Sequence, residues 1–231
     1  MKRALLLAVV VLLAACGGSD GGATTDTRIY FLREGKVWPV ARTVDSGDVV
    51  ASMLDQLFAG PNARERDLLG ATTAIPGGGP SVRIEEGVAT LESPQGQFSQ
   101  QALAQIVYTL TELPDVQAVL VDRRYTRADF ENVTPSVLVE SPLPFTEITS
   151  PLRATGTANT FEATFSYELL DARGEVVDEN FVTATSGTGT RGTFDFTTGA
   201  FDDVRALRVF ELSAEDGSRI HEVEIPLRTS Q

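Results

Sequence analysis

The sequence predicts an α+β protein in which a small helix-covered sheet domain precedes an all-β sandwich domain. Three observations lead to this class. In the first half, hydrophobic residues recur at helical spacing in two segments and at strand spacing in others. From about Ser136 onward almost no helical pattern remains, and short strand-like runs alternate with turn residues. A polar segment over residues 126–135 separates the two patterns and is predicted to link the domains.

The N-terminal residues have the three parts of a secretory signal. Lys2 and Arg3 precede an apolar run over residues 4–15, and small residues end that run. The run is shorter than the roughly 20 residues that a helix needs to span a bilayer. We therefore predict a signal peptide over residues 1–15.

The end of this signal, Leu13-Ala14-Ala15-Cys16, resembles the lipobox of bacterial lipoproteins. The resemblance implies that the thiol of Cys16, the only cysteine in the chain, carries diacylglycerol and that a further acyl chain follows. More than one acyl chain gives stable anchoring. We therefore expect a lipid anchor at the extracytoplasmic face of the cell membrane. Residues 16–26 are predicted to be a flexible tether, because they are rich in Gly and polar residues.

The charge of the chain limits its partners. The 231 residues carry 32 acidic and 19 basic side chains, for a net charge of −13. Such a surface repels nucleic acid and anionic lipid headgroups. We expect no nucleic-acid partner, and contact with the membrane only through the lipid on Cys16.

The first domain, over residues 27–125, is predicted to contain two helices and several short strands. The strands are predicted over residues 28–32, 37–42, 82–84, 88–91 and 116–121, and the helices over 48–58 and from Ser99 to Leu113. Ser46 or Asp48 can cap the first helix and Ser99 the second. The last strand is apolar enough to be buried in the centre of a sheet, and the two helices would cover one face of that sheet.

The second domain, over residues 136–231, is predicted to contain about seven strands at the spacing of a sandwich. These strands are predicted over residues 137–139, 152–157, 161–169, 176–184, 194–196, 207–212 and 220–227. In the third of them Phe161, Phe165 and Tyr167 alternate with acidic or hydroxyl residues, which predicts one buried face and one solvated face. Glu168 falls on the predicted solvated face.

Both domains resemble known families. The first is similar to the GerMN domain of sporulation and spore-germination lipoproteins, and the matching stretches are residues 29–31, 57–61, 73–76, 87–91 and 105–110. The sequence Asp-Arg-Arg-Tyr at residues 122–125 departs from the family's usual ending. The second is similar to the immunoglobulin-like domain that often follows, and the matching stretches are residues 141–142, 149–151, 156–158, 161–163, 215–217 and 224–227. The resemblance implies a non-enzymatic envelope protein, similar in fold to ring-building domains, that associates with other envelope proteins or with itself.

A search for reactive groups predicts no catalytic, cofactor or metal site. His221 is the only histidine, so a serine triad or a His-rich zinc site lacks its parts. The acidic pairs all adjoin predicted turns, where such residues favour the backbone conformation: they are Glu85-Glu86, Asp202-Asp203 and Glu215-Asp216. The glycine run at residues 77–79 opens a strand and is interpreted as a loop. Trp38 is expected to be buried against the helices, although it could instead anchor a partner.

Three functions remain open at this point. The leading hypothesis is a membrane-anchored, non-catalytic interaction or assembly module in sporulation, germination or another envelope process. The first alternative is a solute-binding lipoprotein, which would need an interdomain pocket lined by Arg123, Arg124 and Tyr125. These residues, with Arg127, form the one local basic cluster. It could bind an anionic partner or an acidic face of the second domain, but such a cluster is more often a solvated domain boundary. The second alternative is an envelope glycan hydrolase, which would need two carboxyl groups about 5–10 Å apart in a groove.

Overall fold

The computed structural model describes residues 23–92 and 98–229. It confirms the α+β class and both helices predicted for the first domain, and adds a short helix after the first. The helices are α1 (Val49–Ala59), α2 (Ala63–Leu69) and α3 (Gln100–Leu110). The strands of this domain are β1 (Thr24–Arg33), β2 (Lys36–Asp45), β3 (Ser81–Glu85), β4 (Val88–Glu92), β5 (Ala118–Leu120) and β6 (Arg124–Tyr125). The predicted caps are confirmed, since Asp48 accepts a hydrogen bond from Ala51 N–H and Ser99 accepts one from Ala102 N–H.

The first two strands form a long antiparallel ribbon. It runs from the Thr24–Asp45 pair to the Arg33–Lys36 pair, and it begins inside the stretch predicted as tether. Glu34 and Gly35 both have positive φ in its turn, as a tight right-twisted hairpin requires. Residues 29–32 and 37–40 are buried consecutively, so both faces of the ribbon are covered. Helices α1 and α3 pack against it.

The main-chain groups on the outer edge of β1 form hydrogen bonds with side chains of α3 and with Thr72 instead of with a third strand. The N–H of Tyr30 donates to Thr109 Oγ1 at 3.0 Å, and the Nε2 of Gln105 donates to the Tyr30 carbonyl at 3.2 Å. Leu32 exchanges two main-chain hydrogen bonds with Thr72, at 2.9 and 2.8 Å. Because Tyr30 directs its main-chain groups away from β2, its partner Pro39 removes no bond from the ribbon.

A second sheet of four strands, in the order β3-β4-β5-β6, completes the first domain. β5 is parallel to β4 and antiparallel to β6, so it is internal as predicted. It is only three residues long, however, and its last residue, Leu120, is exposed. The prediction of a six-residue buried strand was therefore too long.

The second domain is the predicted sandwich. Its strands are β7 (Val137–Ser141), β8 (Glu147–Ile148), β9 (Arg153–Ala158), β10 (Thr164–Leu170), β11 (Val176–Thr183), β12 (Gly192–Thr197), β13 (Ala206–Leu212), β14 (Arg219–Pro226) and β15 (Arg228–Thr229). A sheet in the order β11-β10-β13-β14 lies opposite one in the order β12-β9-β7, and β8 pairs with β15. Aromatic side chains join the two sheets: Phe165 lies 4.9 Å from Phe194, and Tyr167 stacks on Phe196 at 4.7 Å between ring centroids.

Two predictions for the third strand of the sandwich were wrong. The strand begins at Thr164, because Phe161 belongs to a short 3₁₀ turn where its side chain is 57% exposed. Glu168 is buried instead of solvated, since Arg208 from β13 and Arg219 from β14 both bind its carboxylate. These partners lie about 40 and 50 residues away along the chain, so the local alternation could not indicate them.

The segment predicted as a polar linker is ordered and packed. Residues Arg127–Val133 form a 3₁₀ helix whose Phe130 and Val133 are buried. Glu131 accepts hydrogen bonds from Arg191 and Asn159 of the second domain. Although partial burial raises the pKa of Glu131, these bonds hold it below its usual value.

The edge of β1 provides a test of the fold. Replacing Gln105 by Met leaves the Tyr30 carbonyl and the Ala74 N–H without their buried partner. We expect the free energy of unfolding, measured by urea denaturation, to fall by about 1–3 kcal/mol. The matched control is Gln101→Met, one turn earlier on α3 and partly exposed, where the change should stay within about 0.5 kcal/mol. Equal effects of the two substitutions would contradict the role assigned to Gln105.

Candidate protein-interaction site

Four charged side chains and one tyrosine meet where the two domains touch, and we call them the interdomain ion cluster. They are Arg28 and Tyr30 of β1, Glu112 beyond α3, Arg127 of the 3₁₀ helix and Glu140 of β7. The Tyr30 hydroxyl lies 2.9 Å from Glu112 Oε1 and 2.7 Å from Glu140 Oε1. Arg127 binds both carboxylates and Arg28 binds Glu112. The cluster therefore joins β1, the end of α3 and the 3₁₀ helix to the second domain.

The cluster is electrostatically balanced, because two arginines face two carboxylates. Both carboxylates are largely buried, with Glu112 only 6% exposed. Burial opposes the charged form of Arg127, but its acidic neighbours Tyr30, Glu140 and Glu112 raise its pKa above the usual value. Burial and the charge of Glu140 raise the pKa of Tyr30 well above its usual value. Arg127 thus stays charged and Tyr30 stays protonated at neutral pH.

An open groove of about 930 Å³ runs between the domains beside this cluster. Glu112 and Glu140 are among its lining residues, and a glycan hydrolase would need two such carboxyl groups in a groove. Both are ion-paired with arginine, whereas the general acid of a glycosidase must carry a proton. The groove is also not lined by Arg123, Arg124 and Tyr125, the residues that the solute-binding hypothesis required.

The most exposed apolar strand of the second domain is β11, at one edge of the four-stranded sheet. Val176, Val177 and Phe181 project into solvent, and Phe181 is 69% exposed. We call these three residues the β11 apolar edge. The acidic residues Asp178 and Glu179 lie between them. The sequence predicted this strand but not its exposure, because the apolar residues of a strand look the same in sequence whether they face a core or solvent.

A scan against protein-family models found two matches. Residues 28–122 match the model described as sporulation and spore germination. Residues 136–218 match the model of an immunoglobulin-like domain of bacterial spore germination. Each predicted domain is therefore similar to the family whose model it matches. Searches of the curated proteins and of the solved structures returned no match.

The two matches confirm the pair of domains suspected from the sequence. Within the germination domain, the stretches that carry the resemblance supply residues that hold the fold together. Tyr30 lies buried in the middle of β1, and Gln105 and Thr109 form hydrogen bonds with its main-chain groups. The departure at residues 122–125 is also structural, because Arg124 and Tyr125 form β6 on the edge of the sheet. Neither family description names an enzymatic activity.

The residues of the predicted basic cluster have different partners in the structure. Only Arg127 binds an acidic residue of the immunoglobulin-like domain, Glu140, which was one of the outcomes left open for the cluster. Arg123 pairs with Asp129 of the 3₁₀ helix and lies 4.0 Å from the centroid of the Tyr125 ring. Arg124 is exposed.

The other candidate residues from the sequence, His221 and Trp38, do not lie together in one site. His221 has positive φ at a bulge, and its Nδ1 lies 2.7 Å from Glu211 Oε1. Trp38 is buried, and it lines a small interdomain cavity. Residues 23–92 and 98–229 contain no group of three or more potential metal ligands and no helix long and apolar enough to cross a membrane. Leu13, Ala14, Ala15 and Cys16 lie outside the described residues.

The ion cluster can be tested by a double-mutant cycle. We expect Arg127→Met and Glu140→Gln to show a coupling energy of about 2 kcal/mol in urea unfolding, because each leaves a buried charge without its partner. The comparison pair is Arg153 and Asp195, a close surface pair with both side chains more than half exposed. Its coupling should be clearly smaller, since solvent screens it. A buried pair that couples no more strongly than this surface pair would contradict the assigned role.

Proposed function

We propose that the protein is a lipid-anchored, non-catalytic assembly module of spore formation or germination, placed at the extracytoplasmic face of the cell membrane. In this proposal the lipid on Cys16 holds the protein at the membrane, and the β11 apolar edge binds another envelope protein. The two spore-germination families support the process, and the lipobox resemblance supports the anchor.

The β11 apolar edge is the observation that carries the interaction. An edge strand offers main-chain groups to an incoming strand. Val176, Val177 and Phe181 would add apolar contact area, and buried aromatic side chains often dominate the affinity of an interface. Such a contact would place the interface on the immunoglobulin-like domain.

Charge indicates the kind of partner. Glu175, Asp178 and Glu179 lie in or beside the strand. In a pair of β11 strands from two copies, these carboxylates would come close to one another, and like charges across strands are destabilising. The partner we propose is therefore a different protein with an extended segment that carries apolar and basic side chains.

Cross-linking in cells followed by pull-down tests both parts of the proposal. Phe181→Glu should lower recovery of the partner by about tenfold or more, because it removes an aromatic anchor and adds a charge. Cys16→Ala should release the protein from the membrane fraction and also abolish recovery of the partner.

The matched control is Leu68→Glu, which charges an equally exposed apolar residue on α2 of the germination domain. It should leave recovery unchanged. A partner lost equally with both substitutions, or with neither, would rule out the β11 apolar edge. Recovery of a second copy of the chain in place of a basic partner would also overturn the proposed contact, and Cys16→Ala protein that stays with the membrane would overturn the anchor.

A further inference from the structure

A cavity of about 290 Å³ lies where α2 meets the second domain. The first domain contributes Asn62 and Arg64 at the start of α2, and the second domain contributes Phe145 and, from β15, Arg228. The residues of the interdomain ion cluster and of β11 do not line it. Its volume is about ten times the ~30 Å³ that a water molecule occupies in the liquid, so a small ion with an attached organic group fits.

Two arginines, one from each domain, are held at the same residue of the cavity wall. The Cζ of Arg64 lies 3.9 Å from the centroid of the Phe145 ring, and the Nε of Arg228 donates to the Phe145 carbonyl at 2.8 Å. A cation on the face of a ring does not use its N–H groups for that contact. Among the described residues neither guanidinium makes a further hydrogen bond, so Arg64 keeps all of its N–H groups for a ligand and Arg228 all but one. Both side chains are exposed, so a ligand can reach these donors.

Positive charge predominates in the wall of this cavity, although the chain as a whole has a net charge of −13. Of the described residues that line it, Arg42, Arg64 and Arg228 are basic and Glu65 is acidic. Arg42 binds both oxygens of Glu65, and Oε2 of Glu65 also accepts a hydrogen bond from the Asn62 N–H at 2.8 Å. The charge of Glu65 is therefore compensated by Arg42, and no lining carboxylate balances the charges of Arg64 and Arg228.

Two further carboxylates are near these arginines along the chain or across a strand pair, but neither lines the cavity. Glu147 is opposite Arg228 in the β8–β15 pair and lines the large groove instead. Asp67 follows Arg64 on α2 by three residues. In the part of the chain that the structure describes, neither carboxylate forms an ion pair with Arg64 or Arg228. A bound anion therefore has no existing ion pair to displace.

A phosphate group matches the two guanidinium groups better than a carboxylate does. A guanidinium donates two parallel hydrogen bonds to a pair of oxygens of either group. A carboxylate has one such pair. The three terminal oxygens of a phosphate monoester provide a pair for each of two guanidinium groups that come from different domains.

We propose that this cavity binds a phosphate group, with Arg64 of the first domain and Arg228 of the second domain donating to its oxygens. Pro144 and Thr146, which also line the cavity, would contact an organic group attached to the phosphate. The phosphate could be the free ion or the end of a small phosphate ester, since both present the same oxygens. This site is independent of the proposed β11 contact.

Isothermal titration calorimetry of the full-length protein, in detergent and at constant ionic strength, tests the class of ligand. Inorganic phosphate and glycerol 3-phosphate should each bind saturably. Acetate should bind about tenfold more weakly or not at all, because it lacks the second pair of oxygens. Tighter binding of glycerol 3-phosphate identifies an ester, and tighter binding of inorganic phosphate identifies the free ion. Acetate that binds as tightly as phosphate, or no saturable binding of either phosphate, would overturn the proposal.

Three variants decide whether binding occurs in the cavity. Arg64→Gln and Arg228→Gln should each weaken the affinity for the tighter phosphate by about tenfold, the amount expected for a hydrogen bond to a charged group. Because Arg64 makes no hydrogen bond among the described residues, its replacement should leave the fold intact even if Arg228→Gln lowers stability. The control Arg124→Gln removes an exposed arginine that does not line the cavity, and it should leave the affinity unchanged. Unchanged affinity in either folded cavity variant, or an equal loss in Arg124→Gln, would place the anion elsewhere and overturn the proposal.

Discussion

Both the main chain and the side chain of Tyr30 form buried hydrogen bonds, and the packing of the two domains depends on these bonds. Its N–H and carbonyl are satisfied by Thr109 and Gln105 of α3, which fixes the helix against the ribbon. Its hydroxyl lies between Glu112 and Glu140, which fixes the ribbon against the immunoglobulin-like domain. A buried polar group without a partner is costly, so any shift of one element past another would break several bonds at once.

This arrangement gives the two domains a defined relative position. Many pairs of domains touch through small polar surfaces and move against each other. Here a balanced ion cluster, the packed 3₁₀ helix and the Arg191–Glu131 pair all cross the boundary. Burying four charges adds little net stability, but each misplaced pair is strongly penalised. A fixed geometry would suit the proposed assembly module, because both domains would then present their surfaces at a constant angle.

Local patterns predicted most of the secondary structure, and long-range pairing explains most of what they missed. The caps at Asp48 and Ser99, the β3–β4 hairpin and the seven main strands all follow from neighbouring residues. Glu168 was expected at a solvated position because its partners, Arg208 and Arg219, come from strands distant in sequence. The sequence likewise could not show that Trp38 borders a cavity or that Phe181 is exposed. The residues around an apolar side chain look the same in sequence whether it lies in a core or at an open edge.

Calorimetry of the full-length protein tests most directly whether the two domains form one structural unit. If the ion cluster and the 3₁₀ helix couple them, heating should produce a single transition whose calorimetric and van't Hoff enthalpies agree. Two separate transitions, or a van't Hoff enthalpy well below the calorimetric value, would show that each domain unfolds by itself and would contradict the account.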